Sequence, residues 1–197
     1  MDMERAASAV AAWANEGETA APPAWEELPA IPLYMDQVIL YLGESLKLFQ
    51  REEASLLTSS MINNYVKNGL IPHPDKKKYT KEHLAGLMAV CMLKQVLSIQ
   101  DIKTLLTGWE ITGETYELFR GAHTQAVQET CRALEETCRT KSDLKQAALL
   151  LAVEANAKRA AAERILCELG RERNRKASEA RVRMPMGKEG WTVCKQE

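Results

Sequence analysis

The stretch Met61-Ile62-Asn63-Asn64-Tyr65-Val66-Lys67-Asn68-Gly69-Leu70-Ile71 decides how the chain is read. At about 100° per residue, Met61, Ile62, Tyr65 and Val66 fall on one arc of a helix. Ser60, Asn63, Asn64, Lys67 and Asn68 fall on the opposite arc. Thr58-Ser59-Ser60 offers N-cap chemistry and Gly69 a C′ residue, so a short helix over residues 59–68 is predicted. A face that needs only solvation favours Lys, Glu, Gln and Arg, because Asn is a poorer helix former. Three asparagines and a serine on so short a helix give up intrinsic stability, which invites a functional reading. An Asn side chain bonds bidentately to adenine N6 and N7 in the major groove of DNA, and a lysine such as Lys67 reaches a phosphate or a guanine. The bland alternative is a helix end that merely tolerates Asn.

Working outward, Leu70 to Tyr79 holds an apolar pair, a Pro74-Asp75 turn and the run Lys76-Lys77-Lys78-Tyr79. A short two-stranded β-hairpin, or wing, is predicted, with the lysines suited to phosphates and a plain solvated loop as the alternative. Thr80 is read as the cap of the next helix, which is apolar nearly all round from Leu84 to Leu93 and is expected at the centre of the core. Ser98 and Asp101 form a capping box, and Leu97 with Ile102 a hydrophobic staple, for a helix ending at Gly108. Upstream, Met35, Val38, Ile39, Leu42, Leu46 and Phe49 repeat with helical spacing, Gly43 suggests a close contact, and residues 50–57 read as a connector.

The flanks differ in character. Residues 1–27 are acidic and alanine-rich and are expected to be a disordered tail, at most a frayed helix stopped by Gly17. Residues 113–139 and about 143–169 read as two long helices, the second closed by Gly170. Val127, Cys131, Leu134 and Cys138 alternate four and three apart, as do Leu144, Ala148, Leu151 and Ala155, so these helices should pack within the chain or across a dimer. Residues 171–197 read as a basic, disordered tail, in which Gly187-Lys188-Glu189-Gly190 matches a GxxG by accident. The domain plan is thus 1–27, 28–108, 109–170 and 171–197.

The chain has 197 residues, 46% hydrophobic and 27% charged, which excludes wholesale disorder. Its net charge of −1 conceals a local imbalance: residues 58–108 carry seven Lys/Arg against three Asp/Glu, whereas residues 1–57 carry three against ten. A near-neutral total therefore leaves a polyanionic partner open. The longest apolar run, Leu84 to Leu93, falls well short of the roughly 18 residues of a membrane span, and the start lacks a basic secretory region. A cytoplasmic location and no membrane partner are expected. Five cysteines without a CxxC, and three histidines without an HxxxH, point to reduced thiols and no metal. Packing is the expected role of Cys131 and Cys138, although their spacing of seven, on one face of a helix, leaves a thiol sensor conceivable. His73 and His83 are read as surface or boundary residues.

The phrase from Met61 to Ile71, the lysine-Tyr79 wing and the two capped helices behind it resemble the DNA-binding domain of MerR-type transcriptional regulators. More closely, the Ile31-Pro32-Leu33-Tyr34-Met35 start and the 61–72 run resemble an uncharacterised bacterial family known as a domain of unknown function and placed near MerR. The resemblance covers about residues 28–108. It implies a mainly all-α fold: a winged helix-turn-helix domain with a short β-hairpin wing, followed by two long helices. It departs where MerR proteins carry an arginine in place of Asn63 and a Gly-Tyr-Arg wing phrase in place of Lys77-Lys78-Tyr79-Thr80. Phosphate anchoring would then rest on lysines.

The function expected is a DNA-binding transcriptional regulator whose partner is double-stranded DNA. Ser60, Asn63 and Asn64 would meet base edges, Lys67, Lys76, Lys77, Lys78 and Lys81 would hold phosphates, and Tyr79 would brace the wing. A homodimer through the 113–169 helices is left open. The alternative is a helical adaptor that kept the winged fold without sequence-specific DNA binding. No Gly-rich phosphate loop, apolar carboxylate pair or Cys-His or Ser-His constellation points to an enzyme, and no cofactor is expected.

Overall fold

Periodicity at 3.6 residues is realised almost throughout. A computed structural model of the protein describes residues 3–49, 57–139 and 143–182, and these form seven α-helices with no β-strand among them. They are α1 (Met3–Thr19), α2 (Met35–Ser45), α3 (Ser59–Lys67), α4 (Lys81–Leu93), α5 (Ile99–Leu106), α6 (Gly113–Arg139) and α7 (Leu144–Val182). The mainly helical expectation is met. No described helix is long and apolar enough to cross a membrane.

The core forms where the apolar stripes of α2 and α3 meet α4. Val38, Leu42 and Leu46 from α2 and its end, Ile62, Tyr65 and Val66 from α3, and Leu84, Leu87, Met88 and Val90 from α4 are all buried. α4 is enclosed on every side because it has no polar face to give to water. α5 covers it with Ile102, and its Asp101 N–H donates to Ser98 Oγ at 3.1 Å, the expected cap. The close approach foreseen at Gly43 is found at Gly86 instead. Among the described residues nothing lies within 4 Å of a Cβ placed at 43, whereas one at 86 would meet Ile111 Cδ1 at 2.5 Å and Ile71 Cδ1 at 3.0 Å.

The N-terminal segment is not a tail. α1 packs along α6, with Ala14 and Gly17 buried against it and the Cys131 sulfur seated where a Gly17 side chain would be. Gln128 Nε2 donates to Glu18 O at 3.1 Å, and Arg132 pairs with Glu18 at 3.4 Å. α6 then grips the next residues: Arg120 Nε donates to Pro22 O (2.7 Å), Tyr116 Oη to Pro23 O (2.7 Å), and Trp25 N to Glu117 Oε1 (2.6 Å). The four-and-three repeat of α6 therefore receives α1 from the same chain at Val127 and Cys131. Cys131 is fully buried, and burial raises its thiol above the usual value, so it packs rather than senses.

α7 also departs from expectation, running through Gly170 to Val182. A mid-helix glycine costs only about 1 kcal/mol. Around it the pairs Arg164–Glu168 (2.8 Å), Glu168–Arg171 (2.9 Å) and Glu172–Arg175 (2.8 Å) support continued helix. Leu166 is buried, and Arg173 donates to Thr107 Oγ1 at 2.7 Å, tying α7 to the end of α5. The remainder of the basic tail (183–197, with Cys194 and the GxxG) and most of the 50–57 connector lie outside the described residues.

Candidate nucleic-acid interface

α3 is fixed at both ends by local chemistry. Thr58 Oγ1 accepts from Met61 N at 3.2 Å, and Gly69 adopts φ 71°. Leu70 N then bonds Tyr65 O at 3.0 Å and Gly69 N bonds Val66 O at 2.9 Å, the double closure of a Schellman motif. With Ile62, Tyr65 and Val66 locked in the core, the helix has one orientation, and Ser60, Asn63, Asn64 and Lys67 are exposed on its other side. Asn68 Nδ2 donates to Asn64 O (2.8 Å) and to Asn64 Oδ1 (3.0 Å). That second bond holds the Asn64 carboxamide by its oxygen, so the Asn64 NH₂ group is the part presented outward.

After α3 the chain buries Leu70 and Ile71 and reaches the lysines through Pro72-His73-Pro74. The hairpin wing expected here is reduced to a two-residue turn. Asp75 and Lys78 form a single antiparallel bridge, closed by Lys78 N to Asp75 O at 2.8 Å, and no ladder extends from it. The reason lies in Tyr79, whose backbone is engaged elsewhere. It pairs with Leu33, N to O at 2.8 Å and back at 2.9 Å, so the segment before α2 takes the place of a second wing strand. The two central residues of the turn, Lys76 and Lys77, adopt φ 46° and 63°. A two-residue turn of this hand favours Asn-Gly, and two lysines in the left-handed region carry strain.

The remaining candidates separate. Lys76, Lys77 and Lys78 are exposed at the turn, and Lys78 Nζ lies 5.5 Å above the Tyr34 ring. Lys81 is directed elsewhere: its Nζ lies 5.0 Å over the Trp25 ring and 3.7 Å from Glu26. Tyr79 is only 3% exposed and stands edge-on to His83 at 5.6 Å, which makes it an anchor beneath the turn rather than a contact surface. Burial raises its hydroxyl above the usual tyrosine value.

His83, expected at the surface or a boundary, is buried. Its Nδ1 accepts from Thr80 N at 3.1 Å, so His83 at N3 completes a capping box whose N-cap is Thr80, as expected. Its Nε2 lies beside the Pro72 and His73 backbone without closing a hydrogen bond of ordinary geometry. Burial lowers the imidazole below the ordinary histidine value, partly offset by that backbone and by Glu82. The neutral ring thus braces the turn segment against α4. Glu82 is held below the usual carboxylate range, chiefly by the Thr80 hydroxyl, which donates to it at 2.5 Å.

The sequence reading missed Ile31 and Tyr34, which are 78% and 52% exposed and flank the Leu33–Tyr79 pairing. The Ile-Pro-Leu-Tyr phrase was visible, but its partner across 45 residues was not. A family model described as a domain of unknown function, DUF1836, matches residues 23–122, just over half of the chain. No curated protein and no solved structure matches.

Proposed function

The chain belongs to this family of domains of unknown function, and from the exposed face of α3 and the lysine turn we propose that it is a DNA-binding transcriptional regulator of MerR-like, winged-helix type, acting in the cytoplasm and without catalysis. α3 enters the major groove with Ser60, Asn63 and Asn64 towards base edges, while Lys67 and the Lys76–Lys78 turn, serving as a minimal wing, bind phosphates. Tyr79 and His83 support the turn from below, and Lys81 has no direct share. The observation that carries the reading is the exposure of an uncharged amide face on a helix fixed at both ends. A helix that only needed solvation would favour Lys, Glu, Gln or Arg at the two exposed positions Asn63 and Asn64, whereas Asn68 closes the end of α3 by bonding back to Asn64.

Two such helices in a homodimer through α6 and α7 would stand about 34 Å apart, or a multiple of it, on a two-fold site. A second reading, a helical protein–protein adaptor, is favoured by one observation: Leu149, Leu150 and Val153 of α7 are all exposed on its outer side.

Substitution tests the assignment. Asn64→Ala should cost about 1–3 kcal/mol on the selected site and little on random DNA. Replacing Lys76, Lys77 and Lys78 by Gln should weaken binding to all sequences and flatten its salt dependence. Parent-like binding by both variants would refute the assignment, and salt-insensitive association with a protein partner alone would favour the adaptor.

A further inference from the structure

We propose that a cavity between α4, the 107–112 connector and the first half of α6 is a binding site for a small, uncharged, hydrophobic molecule of one or two rings. The cavity has a volume of about 210 Å³. It arises because α4, large-sided elsewhere, turns Ala85, Gly86 and Ala89 towards it. Gly86 is demanded by the approach of Ile111, but neither alanine fills the room that remains. Trp109 and Phe119 complete the wall from the connector and from α6.

The chemistry of the wall selects the occupant. The Tyr116 hydroxyl is spent on Pro23 O at 2.7 Å, and the Thr115 hydroxyl on Glu110 O at 2.8 Å. A ligand hydroxyl, amide or charge held deep against Ala85 and Gly86 would be without a partner, at a cost that an apolar ring avoids, whereas the rim at Trp109 and Leu118 is open to water. Water deep in the pocket is poorly held for the same reason, since it needs two to four polar neighbours. A helix from another protein, about 10 Å across with its side chains, is too large for this space, which favours a compact molecule. The wall at Gly86 also touches Ile71, two residues beyond Gly69, so the site lies one packed side chain from the end of α3.

The test titrates the 197-residue chain with toluene, and with benzylamine and benzoate as cationic and anionic versions of the same ring, by saturation-transfer NMR and thermal unfolding. Toluene should bind saturably and raise the melting temperature by about 3 °C at ten times its Kd. The charged analogues should bind at least tenfold more weakly, although Glu110 is exposed at the lining. Ala89→Leu, which fills the pocket from α4, and Ala122→Leu, which covers its exposed rim from α6, should each weaken toluene, the first at least tenfold, while unfolding cooperatively. Ala152→Leu, on the exposed side of α7, should not. Absence of saturable binding, indifference to both filling variants, or benzylamine binding as tightly as toluene would each overturn the proposal.

Discussion

Replacing Lys76-Lys77 by Asn-Gly should make the protein more stable and a poorer DNA binder. Both lysines have positive φ, 46° and 63°, in a turn closed by Asp75 and Lys78. The left-handed region costs an ordinary L-residue about 1–2 kcal/mol. Asn tolerates it and Gly adopts it without strain, although Gly returns about 0.5–1 kcal/mol through the entropy of the unfolded chain. The net gain for the pair is about 1–2 kcal/mol, worth about 2–8 °C in melting temperature for a chain of this size. If each lysine neutralises one phosphate, the double change should also lower the slope of log K against log salt by about 1.8. Urea unfolding and DNA titration at two salt concentrations read both effects. The Lys76→Gln/Lys77→Gln variant is the control, losing the charges and keeping the strain. A destabilised Asn-Gly variant would refute the strain argument, and a parent-like salt slope would refute the phosphate role.

Tyr34→Ala removes the ring beneath Lys78, so it should weaken DNA binding about two- to threefold without altering sequence preference, and Tyr34→Phe should restore it in the same titration. Burial lowers both His83 and His123 below the usual value near 6.5, so the unfolded chain binds the extra protons. Their contribution is complete above about pH 6.5 and is lost as pH falls below it. The urea midpoint should drop between pH 7.5 and 5, and His123→Phe should drop less; identical pH profiles would contradict this. Gly17→Ala drives a methyl into the Cys131 sulfur and should cost about 1–3 kcal/mol, with Cys131→Ala recovering much of the loss on thermal unfolding.

Local rules made α3, α4 and α5 legible because their signals lie within a turn or two of the chain. Thr58, Gly69, Ser98 and Asp101 act on neighbours, and the amide face of α3 follows from an angle of 100° per residue. What escaped depends on partners far away in sequence. α1 and Pro22 to Trp25 are ordered by Arg120, Tyr116 and Glu117 about ninety residues on, and an alanine-rich segment carries no sign of that grip. Lys81 left the candidate phosphate set for the same reason: its partners, Trp25 and Glu26, belong to a segment that reads as tail. The wing shrank because Tyr79 pairs with Leu33, and two lysines do not announce a left-handed turn as Asn-Gly would. Thr80 was legible as the N-cap of α4, but its N3 partner His83 was not, because that place in a capping box usually belongs to Glu or Gln.

Selection of bound fragments from random-sequence DNA at 50 mM and 200 mM salt, with the 197-residue chain, tests the central claim most directly. The α3 face and the lysine turn together should enrich a defined motif containing adenine steps, with affinity falling steeply between the two salts and enrichment lost in Asn63→Ala/Asn64→Ala. A pool that stays random at both salts, or a motif that survives removal of both asparagines, would contradict it.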